Sequence, residues 1–179
     1  DPLLMESLYM GCVSYSLKFF PEGKIGKSNL KGAELAARIE IEAIKKQFSR
    51  KHWQQAVGSS GTARAIGDIL EANGWSSEGI TRDGMEQLRT ALLKAGGAAE
   101  VALPGLREDR VAVMPGGFAI MSAIFSELDV EHMVLANGAM RQGILWDMIG
   151  RAHRRDMREL TVRQFVKRYH VDTIHAHRV

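Results

Sequence analysis

A chain of 179 residues, 45% hydrophobic and 25% charged, has the composition of a folded domain with one core and room for a smaller second unit, which excludes a disordered tail. No stretch approaches the roughly 20 apolar residues of a membrane span, and the single cysteine, Cys12, excludes an intrachain disulfide and a thiolate metal cluster, as suits a reducing cytoplasm. The net charge of +3 is uneven: residues 151–179 carry +5, with eight Lys/Arg against Asp156, Glu159 and Asp172, and the first 150 residues carry −2.

In chain order, Leu3 to Met10 alternate as a strand does, and a short helix is expected from Ser14 to Phe20. Pro21, Gly23 and Gly26 mark a loop. Ser28-Asn29 would cap a long helix over Leu30 to Phe48. Trp53 to Val57 reads as a strand leading into Gly58-Ser59-Ser60-Gly61-Thr62, and a helix follows to Ala72, stopped by Asn73-Gly74. Another helix runs from Thr81 through Leu93 to Gly96-Gly97, and Leu103 to Leu106 form a loop. Val111 to Met114 reads as a short buried strand, Pro115-Gly116-Gly117 as a corner and Phe118 to Leu128 as a helix. His132 to Ala136 is a further strand, Asn137-Gly138-Ala139 a further corner and Gly143 to Ile149 a further helix. Beyond Arg151, Leu160, Val162, Phe165, Val166, Tyr169 and Val171 fall at near-helical spacing among arginines. That tail is expected as an amphipathic helix with a solvated basic face, the alternative being a patch for RNA or another polyanion.

Strand, small-residue corner and helix thus recur three times, which predicts an α/β domain with parallel strands. Its crevice would lie at the carboxyl ends of the strands, where the corners converge. A helix amino terminus there offers free N–H groups and partial positive charge, which suits phosphate, and glycines at 58 and 61 allow close approach. The corner carries neither a Walker lysine nor the three-glycine dinucleotide fingerprint, so a tight turn with an N-cap is the competing reading. Arg64 and Arg141 stand at the starts of helices, where a cation opposes the dipole unless an anion answers it. Together they read as a clamp on a polyanion.

The stretches VGSSGTARAIGDIL, LPGLREDRVAVMPGGFAIMSAIF and LANGAMRQGILWDMIGR resemble successive motifs of the exopolyphosphatase and guanosine pentaphosphate phosphatase family. That family belongs to the superfamily of actin, sugar kinases and heat-shock chaperones. The resemblance implies a ribonuclease-H-like α/β domain over residues 1–150, lacking its first strands, with a C-terminal helical extension opening over 151–179. It implies metal-assisted hydrolysis of a terminal phosphoanhydride, with inorganic polyphosphate or guanosine pentaphosphate as substrate and magnesium as cofactor. Gly58, Ser59, Ser60, Gly61 and Thr62 would border the phosphate channel, with Arg64 as a basic contact. Arg141 would match the arginine of the family's Ala-Leu-Arg-Glu-Gly element, where this sequence has Met140 and Gln142 in place of leucine and glutamate.

By the same resemblance, the catalytic glutamate and the Asp-Ile-Gly-Gly-Gly-Ser loop fall upstream of Asp1, so the chain is expected to be a piece of a larger protein that does not hydrolyse polyphosphate alone. No catalytic residue and no protein metal ligand is assigned within it. A non-catalytic polyphosphate- or nucleotide-binding module is the alternative from another class, and a nucleic-acid adaptor acting through the basic tail is a third reading, not the favoured one. No membrane partner is expected, the location is expected to be cytoplasmic, and self-association of the longer protein as a homodimer is left open.

Overall fold

The structure is a computed structural model that describes residues 3–136, 138, 143–145, 148 and 166. The chain divides into two compact units, Asp1–Ala136 and Asn137–Val179. The helix expected at Gly143 to Ile149 is described only at Gly143, Ile144, Leu145 and Met148, which are helical. Apart from the helical Val166, residues 151–179 lie outside the described residues, and with them the expected tail helix.

The first unit is built on α1 (Cys12–Phe19), α2 (Lys27–Lys45), β1 (Ala56–Gly58), α3 (Gly61–Ala72), β2 (Ile80–Thr81), α4 (Arg82–Ala95), α5 (Glu108–Val111), α6 (Met114–Glu127) and β3 (His132–Leu135). Its centre is α6. Pro115 to Ala119, Met121, Ala123 and Phe125 are all buried, because α1, α2, α3 and α4 all pack against this one helix. Against it α2 turns Leu30, Ala33, Ala37 and Ile41, a set at helical spacing and almost wholly covered. No described helix is long and apolar enough to cross a membrane.

The sheet has three strands in the order β1-β3-β2. β1 runs parallel to β3, with Ala56, Val57 and Gly58 opposite Met133, Val134 and Leu135. β2 is antiparallel to β3, pairing Ile80 with Met133 and Thr81 with His132. The sheet is therefore mixed rather than all-parallel, and β2 was not expected. Thr81 ends that strand and at once caps α4, its Oγ1 accepting from the Gly84 amide at 3.1 Å.

Other expectations are also corrected. Leu3 to Met10 form no strand; Leu8 and Met10 lean on the core, while Tyr9 is exposed. Val111 to Met114 are not a strand either, since α5 ends at Val111 and α6 begins at Met114. The amino terminus of α2 lies at Gly26, without a side-chain cap, and Asn29 instead donates from Nδ2 to the Phe19 carbonyl at 2.9 Å, tying α2 to the end of α1. β1 starts later than read, because Trp53 is held back in the preceding turn by a bond from its Nε1 to Phe48 at 2.8 Å. The stops at Asn73 and Gly96 are where expected, Gly96 with φ of 74°.

Candidate functional site

Gly58 to Thr62 lie where β1 turns into α3. Glycine is required at 58 by close approach: a Cβ there would lie 2.7 Å from that of Ala63 and 2.8 Å from Met133 Sδ. Ser60 is the N-cap of α3. Its Oγ accepts from the Ala63 amide at 3.0 Å, and its carbonyl accepts from Arg64 N at 3.1 Å. The amides of Gly61 and Thr62 are the first-turn donors left over. Ser59, Ser60 and Gly61 are exposed, and Thr62 is half-buried.

Thr62 is turned toward α6, its Cγ2 lying 2.7 Å from where a Cβ on Gly117 would stand. That same Cβ would lie 3.4 Å from the Cys12 Cβ, so the first turns of α1, α3 and α6 meet around Gly117. Gly116 is pinned beside it, its amide donating to Ser16 Oγ at 3.1 Å. Pro115-Gly116-Gly117 is thus a helix start without a preceding strand, yet it meets the Gly58 to Thr62 corner. Of the third corner, Asn137 and Ala139 lie outside the described residues, as does Arg141.

Arg64 is exposed and donates from Nη2 to the Ala136 carbonyl at 2.7 Å. Ala136 N in turn donates to the Gly58 carbonyl at 2.9 Å. The cation that opposes the α3 dipole is therefore turned to the end of β3 and answered by a carbonyl dipole there. Another arginine, Arg110 of α5, stands over the start of α3. A Cβ on Gly61 would lie 3.0, 3.1 and 3.2 Å from its Nη2, Nη1 and Cζ. Asp109 holds the inner end of this guanidinium, with Oδ2 3.5 Å from Nε, and also pairs with Arg107 at 3.0 Å. Residues 107–110 fall within the stretch LPGLREDRVAVMPGGFAIMSAIF, and two arginines flanking two carboxylates just before the Pro115 corner were the signal for them.

A separate groove of about 410 Å³ lies between α2, α4 and α6, walled by Lys31, Arg38, Arg82 and Arg89. It is not an anion site, because its arginines already face carboxylates. Arg89 binds Glu34 and Ser122 Oγ, Arg38 binds Glu127, and Arg82 Nε lies 2.9 Å from Glu131. Burial works against the charge on Arg89, but the hydrogen bond and charge of Glu34 outweigh it and raise its pKa. The Lys45 hydrogen bond, joined by that of Arg38, holds the Glu127 carboxyl below the usual range against its burial.

Among the described residues no three His, Cys, Asp or Glu side chains are grouped to hold a metal ion. The corner contributes amides, hydroxyls and guanidinium groups, which suit anions and not cations. A donor set for magnesium is thus not found in the described part of this unit.

Residues 1–152 match the model of the Ppx/GppA phosphatase family. The chain belongs to the Ppx/GppA phosphatase family. Over all 179 residues this family member is 39% identical to a guanosine-5'-triphosphate,3'-diphosphate pyrophosphatase of Pseudoalteromonas translucida (strain TAC 125), of which it covers 36%. The solved structure of the Aquifex aeolicus PPX-GPPA enzyme superposes on 77% of the chain and 47% of its own length, with a TM-score of 0.63 at 18% identity. The two share a mixed α/β fold. The Ppx/GppA chain spans about a third of the length of its curated relative.

Proposed function

We propose that this chain is the substrate-holding part of an exopolyphosphatase-type hydrolase that releases terminal phosphate from inorganic polyphosphate. In this reading residues 1–150 are most of a ribonuclease-H-like domain of the actin superfamily, and residues 151–179 open a helical extension. The observation that carries it is the meeting of the first turns of α3 and α6 at Thr62 and Gly117, in a chain of the Ppx/GppA family. Of the two turns, that of α3 leaves the Gly61 and Thr62 amides as donors while the α6 amides are committed within the protein, and both add partial positive charge, which suits a phosphate chain.

The amides of Gly61 and Thr62 donate to phosphate oxygens, with the Ser59 hydroxyl beside them at the exposed corner. Arg64 supplies charge from the same turn by exchanging its bond to the Ala136 carbonyl for one to the anion, and Arg141 follows from the third corner. Magnesium would supply charge neutralisation at the phosphate oxygens and would have to arrive with the substrate, because no described group of side chains is arranged to hold it. The carboxylate that orients the attacking water comes from another part of a longer polypeptide.

Guanosine pentaphosphate is the second substrate reading. It is favoured by the pyrophosphatase of Pseudoalteromonas translucida, 39% identical over the whole chain. A binding module without catalysis is the third. Phosphate release from long-chain polyphosphate and from guanosine pentaphosphate, by the 179-residue chain and by a polypeptide extended upstream, separates them. The extended form is expected to be active and the chain alone inactive. Equal rates from the two would sink the division of labour, and no release from either form would leave the binding module.

A further inference from the structure

We propose that the outer face of α2 is a self-association surface, on which a second copy of this chain lays its own α2 antiparallel about a two-fold axis. The 19-residue helix, about 28 Å long, buries one stripe, Leu30, Ala33, Ala37 and Ile41, against α6. Opposite that stripe run Lys31, Leu35, Ile39 and Glu42, spaced by four, four and three residues and all exposed. Leu35 is 57% exposed and Ile39 66%, so two successive turns at the middle of the helix present large aliphatic side chains to water. The outer face of a helix packed on a core is ordinarily polar, and an apolar strip there marks a contact surface.

The charges on the strip identify the occupant. Lys31 has no ion-pair partner among the described residues, and Glu42 has a distant one, Lys45 at 3.8 Å. They stand on either side of the apolar pair, the cation toward the amino end and the acid toward the carboxyl end. A two-fold axis level with Ala37 places Leu35 of one copy opposite Ile39 of the other, and Lys31 opposite Ala43, next to Glu42. Two Leu35–Ile39 contacts are then flanked by two Lys31–Glu42 ion pairs, and the surface is its own complement, as an isologous contact requires. Parallel pairing would instead set Lys31 against Lys31 and Glu42 against Glu42, so the charges also select the direction. Val13 and Leu17 of α1 are exposed as well, but α1 carries no acid to answer its Lys18.

One helix pair is a small interface, and a weak dimer in the micromolar range is expected. Sedimentation velocity of the 179-residue chain over a dilution series measures its dissociation constant, with circular dichroism to confirm folding. Leu35→Asp and Ile39→Asp, at exposed positions that leave the core untouched, should each raise that constant about a hundredfold, because each acts twice in a symmetric pair. Lys31→Glu and Glu42→Lys alone should each raise it about tenfold by setting like charges together. The double variant Lys31→Glu/Glu42→Lys should return to within about threefold of wild type, a rescue that loss of surface charge or local unfolding does not give.

A wild type that stays monomeric at every concentration would overturn the proposal and leave the strip to a different polypeptide. A dimer that forms equally well in Leu35→Asp and Ile39→Asp would overturn it too, placing self-association elsewhere on the chain. Loss of the dimer in those variants, without rescue in the charge swap, would refute the antiparallel pairing.

Discussion

The buried carboxylate of Glu127, near the end of α6, accepts a hydrogen bond from Lys45 Nζ at 2.7 Å and is also bound by Arg38 Nε. Two cations of α2 thus converge on one acid of the central helix, fixing the rotation of α2 against it. Glu127→Gln leaves both cations with access to water, so it should cost only about 1–2 kcal/mol and lower the thermal midpoint by a few degrees. The pH dependence has a definite sign. Glu127 titrates below its unfolded value, so its stabilisation is complete above about pH 4.3 and is lost as pH falls through the depressed folded value. Wild type and Glu127→Gln should therefore converge in stability on acidification; a gap that stays constant down to the lowest pH would refute the assignment.

Gly116 is a packing requirement. A Cβ there would meet the Cys12 carbonyl oxygen and Ser16 N at 2.5 Å each, both backbone atoms that cannot swing aside. Gly116→Ala should cost roughly 1–3 kcal/mol, while Gly96→Ala, strained by its φ of 74° with open space around it, should cost less. Denaturant midpoints of the two variants test the order.

Ser60 provides a way to separate the cap from the channel. Its hydroxyl is committed to the Ala63 amide, so Ser60→Ala should lose about 1 kcal/mol of stability while changing polyphosphate affinity little. A fall in affinity as large as that of Arg64→Ala, in protein confirmed to be folded, would mean that the hydroxyl leaves the cap to meet the anion.

Arg64→Ala removes an exposed bond to Ala136. Its stability cost should stay near or below 1 kcal/mol, and its effect should fall on polyanion binding and on the salt slope. Calorimetry beside thermal melting checks this. A large melting shift with unchanged binding would make Arg64 a strut between α3 and β3.

The helices were legible in the sequence because their apolar spacing answers to one partner face. In α2, Ile41 lies on that face with Leu30, Ala33 and Ala37, whereas Leu35 and Ile39, equally apolar, are exposed, and the Gly58 to Thr62 corner marked the start of α3. The α6 amino terminus was misread for a related reason. Its first turns, Met114 to Ala119, are buried all round and have no polar face to give them a period, so Val111 to Met114 passed for a buried strand. β2 escaped because two residues carry no alternation and its pairing with β3 is set by the tertiary fold. Leu3 to Met10 alternate without a neighbouring strand among the described residues, so periodicity there met no ladder. Within the site, residues 58–62 could be located from glycine and hydroxyl chemistry. Arg110 could not be, because its place over Gly61 depends on how α5 folds back across 48 intervening residues.

The central position of α6 also bears on how the chain is made. α2 is complete at Lys45, but the helix that covers its apolar face begins at Met114, about 70 residues later. At a synthesis rate of roughly 5–20 residues per second, Leu30, Ala33, Ala37 and Ile41 remain bare for several seconds on the ribosome. A nascent chain halted before Met114 already carries α1 to α4, four helices whose shared apolar partner has yet to emerge.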